Sequence, residues 1–206
     1  SHNDVHLIVS DNGIGLFQGI ADALHFDEVQ IAAVEIAKGH VTSDPENHAG
    51  DDLMVVIQLF DEVEISSSGV SLKYINGKND WTLAPSKQKS GTRFHLGIGT
   101  NSRRTCQDVF KTLFNEQGKF VHIPVKLARS NGEQLNSREQ ADNLLHNIKK
   151  LNGIEFDFKN IDLVGPAFAD ELVRKTLKKN REMDIKWINS TQLVDVLMSR
   201  AIDRLT

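Results

Sequence analysis

The sequence predicts a mixed α/β (α+β) protein of two domains, and three observations support this prediction. Apolar residues recur at helical spacing before residue 60, and they alternate at strand spacing between residues 62 and 98. Beyond residue 119, segments with helical spacing alternate with segments with strand spacing. The length of 206 residues suits one large domain or two small ones. Because Glu116-Gln117-Gly118 interrupts both patterns, we expect domains at residues 1–117 and 118–206.

The first domain is predicted to begin with one strand and three helices. The apolar run at residues 5–10 predicts a buried strand. Helical spacing predicts helices at residues 16–24, 27–38 and 53–60. Gly39 stands where a helix C-cap favours glycine, and the Gly, Pro, Asn, Asp, Ser and Thr residues of 40–50 predict a loop.

An antiparallel meander is predicted next. Its four strands are expected at residues 62–65, 70–74, 81–83 and 94–98. Ser68-Gly69 and Asn76-Gly77 are predicted to form its first two turns. Asn101-Ser102 is expected to cap a helix that continues to Leu113.

The second domain is predicted to alternate strands with helices. Strands are expected at residues 120–127, 154–158 and 185–188, and helices after Ser137, from Pro166 and over 191–202. Ser137 and Gln140 form a capping-box pattern at the first of these helices. Such alternation implies crossover connections and a largely parallel or mixed sheet.

Composition excludes several classes of function. The net charge of -4 gives no basic face for nucleic acid, and no apolar run reaches membrane-spanning length. The first residues lack the layout of a signal peptide, and the single Cys106 permits no intramolecular disulfide. We therefore expect a reducing, cytoplasmic setting with no membrane contact. No close cluster of histidine, cysteine and acidic residues predicts a metal site.

Three separated motifs carry a family resemblance. They are Asp11-Asn12-Gly13-Ile14-Gly15 after the first strand, the loop at residues 42–50, and Gly91-Thr92 at the start of a late strand. Their order and spacing over residues 5–100 resemble the ATP site of the GHKL ATPases, which include histidine kinases and the gyrase ATPase domain. The resemblance implies a Bergerat-type α/β sandwich. The simpler interpretation is that Asp-Asn-Gly forms only a turn.

The resemblance also implies a nucleotide site. Asp11 would accept a hydrogen bond from the adenine amino group, and Thr92 would share a water with it. Glycines would let the backbone approach the ligand closely. The loop ending at Gly50 would cover the phosphates. The implied nucleotide-binding residues are Asp11, Asn12, Gly13, Gly15, Lys38, His48, Gly50 and Thr92, with Lys38 and His48 nearest the phosphates.

Two departures from the family pattern argue against catalysis. Asp51-Asp52 follows Gly50 where the family has a second glycine. The family's helix bearing the Mg²⁺ ligand and the general base precedes the first glycine motif, and this chain begins ten residues before Asp11. We therefore assign no catalytic or metal residue and expect ATP to bind weakly or not at all, with Mg²⁺ only if that helix is present. A truncated fragment and a pseudo-ATPase both remain open.

The second domain resembles a STAS-like family of unassigned function over about residues 119–206. The resemblance rests on Asp157-Phe158, a turn of small residues at 164–167, and the helix start Phe168-Ala169-Asp170-Glu171. Members of that family occur fused behind GHKL-type domains. The turn has no hydroxyl, so no switch by serine phosphorylation is expected. Asp170 and Glu171 are interpreted as acids favoured by a helix N-terminus rather than as a catalytic pair.

The expected function is regulatory. An ATP-binding-type module would be coupled to a STAS-like interaction module that binds a protein partner, without direct nucleic-acid binding. The alternative is a functional GHKL ATPase or protein-serine kinase of which this chain is the carboxyl portion. An upstream helix with a Glu-x-x-x-Asn pattern would favour the enzyme, so the sequence leaves enzymatic activity open, as it does the partner and oligomeric state.

Overall fold

A computed structural model describes residues 4–39, 41, 52–113, 120–129, 133–145 and 153–205. The chain divides into two compact units, Ser1–Gly118 and Lys119–Thr206. Within the described residues there are seven α-helices, one antiparallel sheet and one parallel sheet, which confirms the predicted α+β class. No helix in these ranges combines the length and apolar character needed to cross a membrane.

The first unit places helices beside an antiparallel sheet. Its elements are β1 (Asp4–Ser10), α1 (Leu16–Leu24), α2 (Val29–Lys38), α3 (Asp52–Leu59), β2 (Glu62–Ser67), β3 (Val70–Ile75), β4 (Asp80–Pro85), β5 (Thr92–Gly99) and α4 (Cys106–Leu113). The strand order is β1-β5-β2-β3-β4. The prediction of a four-strand meander was wrong for its last strand, because β5 pairs with β1 and β2 instead of β4.

The core of this unit lies between the helices and the middle of the sheet. Val63, Ile65, Leu72 and Tyr74 alternate along β2 and β3, and each is nearly inaccessible to solvent. The helix α1 packs on β2, and α2 packs on β3. Since α2 is buried from Ile31 to Lys38, it is an interior helix rather than a surface helix with one apolar face.

The strand β1 is present, but the prediction that it is buried was wrong. Val5, Leu7 and Val9 are 55%, 49% and 52% exposed. β1 is the last strand of the sheet and pairs only with β5 among the described strands, while α1 and α2 lie over β2 and β3. An apolar run predicts a strand, but it does not reveal whether that strand is central or at an edge.

The start of α4 also differs from the prediction. The helix begins at Cys106, and Thr105 caps it by accepting a hydrogen bond from the Asp108 amide at 3.2 Å. Ser102 instead donates its amide to the Gly99 carbonyl in a turn. Thr105 thus supplies the cap that was predicted at Asn101-Ser102.

The second unit is built on a parallel sheet of order β6-β7-β8. Its elements are β6 (Phe120–Pro124), a 3-10 turn (Val125–Ala128), α5 (Arg138–Leu144), β7 (Gly153–Asp157), α6 (Pro166–Lys179), β8 (Asp184–Ile188) and α7 (Gln192–Asp203). The predicted strand over 120–127 ends early at Pro124, since proline has no amide hydrogen for the ladder. The capping box of Ser137 and Gln140 is confirmed.

One hydrophobic core fills the second unit. α6 packs against α5 and α7, and its Phe168 and Leu172 are fully buried. Phe156 of β7 and Met198 of α7 are fully buried as well. The opposite face of the sheet carries polar side chains at alternate positions of β6 and β7, as the strand period requires.

Candidate functional site

Two chain segments far apart in sequence meet at the end of β1. The Asp11 amide donates to the Thr92 carbonyl at 3.0 Å, and the Gly91 amide donates to the Gly13 carbonyl at 2.8 Å. The Thr92 amide donates in turn to Asp11 Oδ1 at 3.2 Å. These bonds extend the β1–β5 pairing into the turn that follows β1, so Asp11 and Thr92 are direct neighbours.

The Asp11 carboxylate has one oxygen engaged by the protein. Its Oδ1 accepts from the Gly13 amide at 2.8 Å and from the Thr92 amide. Its Oδ2 has no hydrogen-bond partner within the described part of the chain, and the residue is exposed. This oxygen is therefore available to accept a hydrogen bond from a ligand amino group.

The Thr92 side chain is buried, with 5% exposure, and it caps a helix. Its Oγ1 accepts a hydrogen bond from the Leu16 amide at 2.8 Å, at the first residue of α1. That amide has no partner inside its own helix, and Gly15 at the N-cap has no side chain to supply one. The Thr92 hydroxyl hydrogen remains free to donate to a neighbouring acceptor.

Two glycines permit the close packing around these residues. Gly91 has φ of 66°, and a Cβ there would lie 2.1 Å from the Asp11 carbonyl oxygen. Gly15 has φ of 96°, and a Cβ there would lie 2.5 Å from Ser67 Oγ and 2.8 Å from Ser68 Oγ. Gly15 thus allows close contact between protein segments, and its predicted contact with a nucleotide stays a prediction.

The remaining predicted site residues have different settings. Asn12 is exposed in the turn after β1. Lys38 is 8% exposed at the end of α2, and its ammonium group is paired with the buried Glu35 carboxylate. His48 and Gly50 lie outside the described residues, so their contacts with phosphate remain predictions. No group of three or more potential metal ligands occurs in the described ranges.

A polar cluster in the second unit was not predicted from the sequence. His122 of β6 lies with Nδ1 3.2 Å from Glu155 Oε1 and Nε2 3.4 Å from Asp157 Oδ2. Asp157 is 4% exposed, and its Oδ1 accepts from the Asn189 side chain at 2.8 Å and from the Lys159 amide at 2.9 Å. The Asp157 carboxylate therefore links residues of β6 and β7 to the segment that follows β8. In the sequence, the only sign of this cluster is that Glu155 and Asp157 alternate with apolar residues.

The two acids at the start of α6 have separate roles. Asp170 pairs with Arg204 at 3.1 Å. Glu171 is 3% exposed and accepts from Arg174 Nε at 3.0 Å. A hydrogen bond to Glu171 and its negative charge raise the pKa of Arg174 above its ordinary value. The acids therefore bind different partners and do not form a catalytic pair. Lys175, on the same helix, pairs with Asp142 at 2.5 Å.

Asp195 in α7 is expected to make the unfolding free energy of the second unit depend on pH. Hydrogen bonds from Ser190, which has the larger effect, and from Trp187 hold the pKa of Asp195 below its ordinary value. The unfolded chain then binds a proton at a higher pH than the folded chain does. This stabilisation is complete above the unfolded pKa and is lost as the pH falls through the folded pKa.

We expect the unfolding free energy of the Asp195→Asn variant to fall less steeply at acidic pH than that of the wild type, because the variant has no carboxylate to protonate at this position. Urea unfolding at a series of acidic pH values measures it. Asp162→Asn is the control, because its carboxylate makes no hydrogen bond within the described ranges. An Asp195→Asn variant with the slope of the wild type would show that these hydrogen bonds do not contribute.

Part of the second unit is similar to a known protein family. A family model described as a STAS-like domain of unknown function (DUF4325) matches residues 140–195, from α5 into α7. A search of curated proteins and a search of solved structures each gave no significant match. No comparison supports the predicted GHKL-type domain, which stays a prediction. Residues 140–195 thus match a STAS-like domain, a type that indicates a regulatory or interaction module.

Proposed function

We propose that the protein is a regulator that acts by binding a protein partner through its STAS-like unit. The observation that carries this proposal is the family match over residues 140–195, which spans β7, α6 and β8. In this proposal the unit acts by presenting a surface to another protein. The proposal therefore requires an accessible surface on this unit with the character of a binding patch.

Two exposed leucines near the carboxyl ends of β7 and β8 support such a surface. Leu163, in the segment before α6, is 50% exposed, and Leu193, in the first turn of α7, is 62% exposed. The Thr191 hydroxyl donates to the Asp162 carbonyl at 2.8 Å, so the two segments lie side by side. Single exposed leucines are ordinary, but exposed leucines on adjoining segments favour a binding role.

Replacing both leucines with glutamate should abolish partner binding. A partner would first be captured by cross-linking from an extract of the native cells, purified, and titrated against the wild type and the Leu163→Glu/Leu193→Glu variant. We expect a loss of about tenfold or more in affinity, because buried charges oppose an apolar contact. Leu205→Glu is the control, since Leu205 is 46% exposed at the other end of α7. Equal affinities of the double variant and the wild type would contradict the proposed surface.

We also propose that the first unit is an ATP-binding-type module with weak affinity for adenine nucleotides. The free Oδ2 of Asp11 and the neighbouring Thr92 hydroxyl support recognition of adenine. Weak affinity is supported by Lys38, because its charge is already compensated by Glu35 and offers little attraction to phosphate. The module would adjust the regulatory unit without being a strong catalyst.

Calorimetry with ATP, in the presence and absence of Mg²⁺, tests this proposal. We expect affinity far weaker than micromolar and no dependence on Mg²⁺. Low-micromolar, Mg²⁺-dependent binding would instead support the alternative, a functional GHKL ATPase or protein-serine kinase of which this chain is the carboxyl portion. ATP turnover by the same sample would strengthen that alternative further.

A further inference from the structure

The face of the five-stranded sheet opposite α1 and α2 carries a cavity with charged side chains on its border. It has a volume of about 290 Å³ and is lined by Ile8, Glu64, Ser66, Arg93 and His95. The strand register explains the grouping, because Ile8 and Glu64 lie on either side of His95, and Ser66 lies opposite Arg93. Residues that alternate on adjacent strands thus converge on one face.

Three side chains of this cavity have unused hydrogen-bonding capacity. The Arg93 guanidinium and the Ser66 hydroxyl have no hydrogen-bond or ion-pair partner among the residues that the structure describes. The His95 ring contacts the His6 ring, with centroids 5.1 Å apart, but its nitrogens have no hydrogen-bond partner in the described ranges. The cavity therefore presents a fork of donors beside a hydroxyl.

The Glu64 carboxylate is held in place on the strand next to that of Arg93. Glu64 Oε1 accepts a hydrogen bond from Ser71 Oγ at 2.6 Å, which holds the side chain and leaves Oε2 without a described partner. Glu64 and Arg93 are diagonal neighbours on paired strands, a spacing of about 7–8 Å between backbone positions. The two opposite charges thus border the same cavity without forming an ion pair with each other.

This arrangement selects for a ligand that carries both charges. A simple anion would engage Arg93 but not Glu64, and a simple cation would engage Glu64 but not Arg93. Lys73, the cross-strand neighbour of Glu64, is paired with Glu62 at 2.7 Å. A carboxylate matches the fork of Arg93, whereas an ammonium group matches Glu64. Ile8, 51% exposed, adds an apolar wall. The volume is near the lower limit of roughly 300 Å³ for small-molecule pockets. We propose that this cavity binds a small zwitterion of the α-amino carboxylate class.

Three related probes test the charge requirement on the whole chain. They are L-leucine, N-acetyl-L-leucine, which lacks the ammonium group, and L-leucine methyl ester, which lacks the carboxylate. In nuclear magnetic resonance titrations we expect leucine to shift the amide resonances of Glu64, Arg93 and His95. Each blocked probe should bind about tenfold or more weakly, because it loses one charge-assisted hydrogen-bond set.

Matched variants test the residues. Arg93→Gln and Glu64→Gln should each weaken leucine binding about tenfold, while Arg103→Gln and Glu28→Gln, exposed positions outside the cavity, should not. Glu64→Gln should also remove the preference for leucine over its N-acetyl form. The backbone spectrum of each variant verifies its fold. The proposal is overturned if leucine leaves the three amides unshifted, if the blocked probes bind equally well, or if the cavity variants bind as the wild type does.

Discussion

Replacing Gly91 with alanine is expected to destabilise the first unit by about 3 kcal/mol. Gly91 has φ of 66°, a region that costs energy for any residue with a Cβ, and the new Cβ would lie 2.1 Å from the Asp11 carbonyl oxygen. That atom belongs to the backbone and cannot rotate away. Relief requires the turn after β1 to move from β5, which would break the bonds between Asp11 and Thr92.

Denaturant unfolding measures this effect through tryptophan fluorescence. The chain has two tryptophans, Trp81 in the first unit and Trp187 in the second, so a Trp187→Phe background isolates the first unit. Gly77→Ala is the control, because a Cβ at Gly77 meets no atom within 4 Å. If Gly91→Ala unfolds at the denaturant concentration of Gly77→Ala, the close approach of Gly91 to Asp11 is not present in solution.

Replacing Phe168 with alanine is expected to cost the second unit about 3–5 kcal/mol of unfolding free energy. Phe168 is fully buried in the first turn of α6, a helix that packs against α5 and α7. Removing the ring loses its burial and leaves a cavity that the surrounding core fills only in part. Much of the stability of a domain this small would be lost.

The corresponding measurement follows Trp187 in a Trp81→Phe background. Leu205→Ala is the control, because Leu205 is 46% exposed and its truncation should change stability by no more than about 0.5 kcal/mol. A Phe168→Ala variant as stable as that control would show that α6 does not pack on the core as described. A separate Trp187→Phe background leaves Trp81 to follow the unfolding of the first unit.

Local signals predicted most of the helices and strands. The bounds of α1 match the predicted residues 16–24, because the glycine turn before it and the helical spacing within it are both local features. The capping box of Ser137 and Gln140 was equally visible, since all its atoms lie within four residues. Pro166 begins α6 because proline suits the first turn of a helix.

Long-range pairing was not accessible from the sequence. Nothing local to residues 94–98 reveals that β5 lies between β1 and β2, because that placement depends on which strands compete for its edges. The exposure of β1 was missed for the same reason, because an edge strand and a central strand can have the same apolar pattern. The unknown strand order also hid the cavity beside His95, because its lining comes from three strands.

In the candidate site, too, local motifs could be predicted from the sequence and long-range contacts could not. The glycine turn and the Gly-Thr motif identified Asp11 and Thr92, which the structure joins by hydrogen bonds, while their contact with a nucleotide stays a prediction. Sequence reasoning missed Ser67, whose hydroxyl is fully buried and donates to the Gly91 carbonyl at 3.1 Å. It also missed the pairing of Lys38 with Glu35, because an ion pair inside a buried helix resembles an ordinary surface pair in sequence.

The most direct test of the proposed adenine site is a nuclear magnetic resonance titration with adenosine, using guanosine as the comparison. We predict that adenosine, but not guanosine, progressively shifts the amide resonances of Gly13, Leu16 and Thr92. These shifts should be lost in the Asp11→Asn variant and retained in Asp27→Asn, a control at an exposed position. Asp11→Asn keeps the Oδ1 acceptor and replaces Oδ2 with a donor that repels the adenine amino group. Unshifted amides in the wild type, or shifts that persist in Asp11→Asn, would contradict the assignment of an adenine site to the first unit.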